Sequence, residues 1–95
     1  MFLKIHTGPG GERVVAVCDR ELMDTTISDG AIQITITSDF YGDTLATEED
    51  VRAALLSAEN GNIIGSRVVA LAVSLGLVDP DSCLVINSIP HAQFI

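Results

Sequence analysis

Two runs of apolar and β-branched residues, 1–6 (MFLKIH) and 13–18 (RVVAVC), flank the segment TGPGGE, and no other feature constrains the fold as strongly. Glycine and proline between two strand-forming runs spell a hairpin loop, so the chain is predicted to begin as an antiparallel pair. Setting residues 6 and 13 opposite each other places Met1 against Cys18. One face of the ribbon then carries Leu3, Ile5, Val14, Ala16 and Cys18, which makes Cys18 a small buried hydrophobe. The other face carries Phe2, Lys4, His6, Arg13, Val15 and Val17, a mixture that solvent alone does not explain, so part of it is expected to be covered. The same register bears on metal chemistry. Cys18, Cys83, His6 and His91 are the soft ligands available. Because the ribbon separates Cys18 from His6 by about 15 Å, no shared zinc site and no cofactor is expected.

Further along, DRELMDTTISDG has helix formers but is cut by Thr25, Thr26, Ser28 and Gly30, which limits it to one or two helical turns. AIQITITS is the clearest strand, with Ile32, Ile34 and Ile36 alternating against Gln33, Thr35 and Thr37. TEEDVRAALLSAEN reads as a helix, with Thr47 as N-cap, Asp50 closing a capping box, and Val51, Ala54, Leu55 and Ala58 as its buried stripe. Asn60, Gly61 and Asn62 break it. A second helix is predicted over IIGSRVVALAVSLG, capped by Asn62, buried through Ile64, Val68, Leu71, Ala72 and Leu75, and stopped at Gly76 with Leu77 folding back. CLVIN reads as a buried strand, NSIP as a turn and HAQFI as a short last strand, with Phe94 or Ile95 completing the core. The expected fold is therefore one α+β domain, residues 1–95, a small antiparallel sheet with a helical hairpin packed on one face.

Composition narrows the function. Thirteen acids against five bases give a net charge of −8, and Asp39, Asp43, Glu48, Glu49 and Asp50 fall in a stretch without a base. Lys4, Arg13, Arg20, Arg52 and Arg67 are scattered, whereas a nucleic-acid binder needs a basic stripe to neutralise phosphates, so direct nucleic-acid binding is not expected. The 47% apolar content excludes a disordered chain and suggests a partner-binding or homodimeric face. With no long apolar run and no leader-like start, a soluble cytoplasmic protein is expected, with no membrane partner.

Taken together, VAVCDREL, FYGD, NIIGSRVVALAVSLGLVDP and IPHAQ resemble an archaeal family of uncharacterised proteins, domain of unknown function 424, along the whole chain. The resemblance implies a small stand-alone α+β protein of the archaeal cytoplasm, loosely associated with translation or ribosome maturation. It supplies no catalytic residues.

Six residues are candidates for binding: Tyr41, Gly42, Asn62, Arg67, His91 and Gln93. In FYG, Phe40 is expected to plug the core, leaving Tyr41 either as an amphipathic partner contact or as a cap on its own core. In GNIIGSR, a helix N-terminus, the small Gly65 and Arg67 outline an anion site, although the alternative is close helix packing at Gly65. His91 and Gln93 are the tail residues left free for function. Two readings follow. The first is an acidic adaptor that grips a basic protein, of the translation apparatus, through the Tyr41 loop, the acidic stretch and the tail. The second is a small hydrolase or transferase using His91 with Asp39 or Asp43, and Arg67 to hold an anionic substrate; no serine or cysteine context supplies its nucleophile.

Overall fold

The computed structural model describes residues 1–95. Seven strands form, β1 (Phe2–Thr7), β2 (Arg13–Cys18), β3 (Thr26–Asp29), β4 (Ile32–Thr35), β5 (Asn60–Ile64), β6 (Leu84–Ile86) and β7 (Ile89–Phe94), with three helices, α1 (Ser38–Tyr41), α2 (Glu48–Ser57) and α3 (Ser66–Ser74). A five-stranded sheet runs in the order β1, β2, β5, β7, β6, and β3 pairs with β4 in a separate ribbon. The class is α+β. No helix is long and apolar enough to cross a membrane.

The sheet is not wholly antiparallel: β2 and β5 pair in parallel. Nor are the helices a hairpin, because β5 lies between them. Asn60 to Ile64 belong to a strand, since Ile63 and Ile64 are β-branched residues that continue into the pleat and are fully buried there. The connection from β2 through α2 back to β5 is thus a crossover, the kind of link parallel strands require. Both α2 and α3 do cover one face, as expected. Val51, Ala54 and Leu55 of α2 and Val68, Val69, Leu71 and Ala72 of α3 pack with Val15, Val17, Ile63 and Ala92.

The first hairpin forms one residue out of the expected register. Phe2 pairs with Cys18, His6 with Val14 and Thr7 with Arg13. Residues 8–12 make the loop, in which Gly8 N–H donates to Glu12 O at 2.8 Å and Gly11 takes a φ of 83°. An odd-numbered loop changes the parity, and a one-residue slip moves every β1 side chain to the other face of β2. Leu3 and Ile5 therefore join Val15 and Val17 on the helix side, while Phe2, Lys4 and His6 join Val14, Ala16 and Cys18 on the second side.

That second side is covered too. Ala16, Cys18, Ile64 and Ile86 meet Tyr41, Ile36 and Ile27 in a second apolar cluster. Ile36 is fully buried but Ile32 is 44% exposed, although the Ile32 end of the β3–β4 ribbon is tied to the sheet by Asn87 N–H, which donates to Asp29 Oδ2 at 2.9 Å.

Local signals explain the helix ends. The capping box at α2 forms as predicted, Asp50 N–H donating to Thr47 Oγ1 at 3.1 Å and Thr47 N–H to Asp50 Oδ2 at 3.4 Å. α3 ends as predicted as well: Gly76 has φ 76°, and Leu77 N–H donates to Ala72 O and Gly76 N–H to Val73 O, both at 3.0 Å. The final strand pairs with β5 on one side and β6 on the other, with Phe94 packed against the main core and Ile95 outside it. Asn87 and Ser88 make the β6–β7 turn with φ of 48° and 68°, the left-handed pair of a two-residue hairpin loop.

Candidate functional site

Asn62 is the hub of the polar side of the sheet. The alternation of β5 sends Ile63 into the helix-side core and turns Asn60, Asn62 and Ile64 the other way. Register then aligns Asn62 with Ala16 of β2 and Gln93 of β7, and Ile64 with Cys18 and His91. Tyr41, at the end of α1, reaches down from above. Its Oη donates to Asn62 Oδ1 at 3.0 Å, and His91 Nε2 lies 3.2 Å from the same oxygen. A carboxamide oxygen only accepts, so Nε2 carries the imidazole proton and Nδ1 is the acceptor. Every buried side-chain nitrogen and oxygen has a hydrogen-bond partner. The His91 Nδ1 and the Asn62 NH2, which have none in the protein, therefore open to solvent.

This trio is uncharged near neutrality. Burial, aided by the neighbouring Cys18 sulfur, pushes the Tyr41 phenol up to about 12, so it remains a donor. Burial lowers the His91 imidazole below its ordinary 6.5, which keeps the ring neutral. Cys18 is fully buried, and desolvation followed by the charge of Asp19 raises its thiol to about 11, well away from a reactive thiolate.

α1 is clamped to β1 through its C-terminal carbonyls, which a helix leaves without internal partners. Lys4 Nζ donates to Asp39 O at 2.9 Å, and His6 Nε2 to Phe40 O at 2.8 Å. The His6 ring also stacks on Phe40 at 5.0 Å, and Phe40 meets Tyr41 edge-on at 4.8 Å. Phe40 is not the core plug expected of it, being 37% exposed, whereas Tyr41, 5% exposed, takes the second of its two expected places, a cap on its own core. The phenol can be buried because Asn62 satisfies its hydroxyl, whereas the Phe40 ring covers His6 at the surface. Gly42 has an architectural part, with φ 85° and a backbone so close to β1 that a Cβ would lie 2.8 Å from Leu3 O.

Arg67 lies apart from this cluster, at the start of α3. The free N–H groups expected there are taken by Asp19, a buried carboxylate at the end of β2 that accepts from Arg67 N–H at 2.9 Å and Val68 N–H at 3.0 Å. Gly65, with φ 121°, leaves room for that carboxylate where any Cβ would collide with it. Its smallness thus serves a strand-to-helix cap, neither a ligand nor helix-on-helix packing. Of the six candidates, Tyr41, Asn62 and His91 are hydrogen-bonded together and Gln93 flanks them on the same face. His91 has an amide for a partner; neither Asp39 nor Asp43 bonds to it.

At the end of the sheet where β2 and β5 begin and β7 finishes, a groove of about 330 Å³ is lined by Val14, Phe40, Asn60, Asn62, Gln93 and Ile95 among others. A cleft of about 310 Å³ on the other side of α1 is lined by Lys4, Ser38, Asp39, Asp43 and Thr44 among others. Asn60, Phe40, His6 and Asp19 are site or support residues that sequence reasoning missed. Asn60 and Asn62 carried a usable signal, two polar residues separated by one within a segment that ends in Ile63 and Ile64, but it reads as a helix break.

The fold is shared with an uncharacterized conserved protein from Methanopyrus kandleri, known from a crystal structure. The two superpose with a TM-score of 0.77 over 98% of this chain and 88% of the other, at 24% sequence identity. Among curated proteins, no sequence match was found. The family model described as "Protein of unknown function (DUF424)" matches residues 6–95. Nearly the whole chain is thus spanned, including the strands that carry Tyr41's partners, and the protein belongs to the DUF424 family.

Proposed function

We propose that this protein is a non-enzymatic adaptor of the cytoplasm that grips a basic protein partner, one belonging to the translation apparatus. What carries the reading is the surface around α1: Phe40 and Leu45, 37% and 51% exposed, stand among the exposed acids Asp39, Asp43, Glu48, Glu49 and Asp50. Exposed apolar side chains in the same segment as these carboxylates suit the lysine and arginine side chains of a cationic surface, with charge steering the encounter. The translation assignment draws on the sequence resemblance. The uncharged state of the Tyr41, Asn62 and His91 trio and the inert Cys18 also suit a recognition surface better than a reaction centre.

The competing reading is a hydrolase or transferase built on His91, favoured by the solvent-open Nδ1 of a neutral ring, with Arg67 holding an anion. One experiment separates the two. The immobilised full chain, presented with native lysate at low salt, is expected to retain a ribosomal or initiation protein. The Phe40→Ala and Asp39→Lys/Asp43→Lys variants should lose it. Retention of the same protein by the charge-reversed variant would sink the adaptor reading. Metabolite turnover abolished by His91→Ala would establish the enzyme, and tight, salt-steep RNA retention would replace both.

A further inference from the structure

We propose, resting on the adaptor reading, that the groove beyond Phe40 holds the main chain of an extended segment of the partner, bonded by the carboxamides of Asn60, Asn62 and Gln93. Asn62 provides the fixed point. Its Oδ1 accepts from buried Tyr41 and half-buried His91, so the amide is locked with its NH2 directed away from both. Asparagine is disfavoured in the middle of a strand, and here it sits in β5 between β2 and β7 in the sheet. Tyr41 and His91 together hold it as an oriented donor.

Asn60 and Gln93 supply the rest. Gln93 lies opposite Asn62 in the antiparallel register, and Asn60 is two residues back on the same face of β5. Two residues of strand span roughly 6.6 Å, which is also the repeat of alternate peptide groups in an extended chain. A carboxamide both donates and accepts, as a peptide group does, so a row of them matches a backbone at that repeat. No charged side chain lines the groove, so phosphates and carboxylates find no counterion there. The charge lies across α1, where Asp39 and Asp43 line the neighbouring cleft. A partner segment in the groove can therefore lay a basic side chain over Phe40 and reach those carboxylates, which joins main-chain recognition to the charge preference.

The test uses the full chain, isotopically labelled for NMR, and three capped hexapeptides: one alternating valine and arginine, its analogue N-methylated on alternate backbone nitrogens, and one alternating valine and glutamate. The arginine peptide should shift the side-chain NH2 resonances of Asn60, Asn62 and Gln93. N-methylation, and separately the Asn60→Ala/Gln93→Ala double variant, should each weaken binding about tenfold, the worth of one or two hydrogen bonds. The glutamate peptide should bind more weakly than the arginine one. Both substitutions are at residues that make no side-chain hydrogen bond within the protein, and an unchanged melting temperature would show that the fold survives. Equal binding of the N-methylated peptide, or shifts confined to the acidic residues of α1 and α2, would overturn the groove while leaving the adaptor reading in place. So would undiminished capture of the lysate partner by the double variant. A wild-type chain that binds no peptide and captures no basic protein would remove both.

Discussion

The two faces of the five-stranded sheet are covered by different means. Against α2 and α3 the contacts are aliphatic: Val15, Val17, Val51, Leu55, Ile63 and Val68 are fully buried, and no hydrogen-bonded side-chain network crosses this face. On the opposite face a four-residue helix and a detached ribbon leave gaps, and the centre is held by Tyr41, Asn62 and His91. Apolar burial is non-directional, so the helix face can be built from any well-packed hydrophobes. A hydrogen-bonded centre fixes particular atoms at particular points. The difference assigns cohesion to the first face and presentation of oriented groups to the second.

Substitutions can break this division. Leu55→Ala leaves a cavity in the helix face and should cost about 2–5 kcal/mol in urea unfolding, the largest effect foreseen. Tyr41→Phe keeps the buried ring and removes one donor to Asn62 Oδ1, so it should cost about 1 kcal/mol. A Tyr41→Phe loss as large as that of Leu55→Ala would mean that the polar face also carries the stability, and the division would fail.

Legibility in the sequence follows the range of the interaction. The capping box of Thr47 and Asp50 spans three residues, and the stop at Gly76 with Leu77 folding back is equally local; both are readable from residue order. The N-cap of α3 is not. Its carboxylate comes from Asp19, 48 residues before Arg67, and only the tertiary fold brings them together. Hence the apolar run after Asn62 reads as helix, although Asn62 to Ile64 are a strand and Gly65 marks the true start. The hairpin register turned on the count of loop residues, which composition does not fix, and with it went the side to which His6 and Lys4 face. Of the polar cluster, Tyr41, Asn62, His91 and Gln93 were each identifiable as unusual. Their meeting was not, because it depends on the parallel pairing of β2 with β5 and on α1 folding over β1.

The smallest expected effect sharpens the comparison further, through pH. Burial holds the His91 imidazole below its ordinary 6.5, so in a window beneath that value the unfolded chain binds a proton that the folded chain refuses. Stability is then intact above pH 6.5 and declines as the pH falls from there toward the folded-state value, below which this residue contributes no further slope. His91→Gln retains an amide donor for Asn62 Oδ1 but has nothing to titrate. With the two proteins aligned at pH 7.5 to remove any constant offset from the change in shape, their urea midpoints should therefore coincide near neutral pH and diverge on acidification, the wild type falling below the variant. The comparison with the variant also removes the contribution of His6 and the carboxylates, which both proteins share. Parallel profiles would mean that the imidazole is as well solvated folded as unfolded, and the polar face would lose its claim to hold Asn62 between two neutral donors.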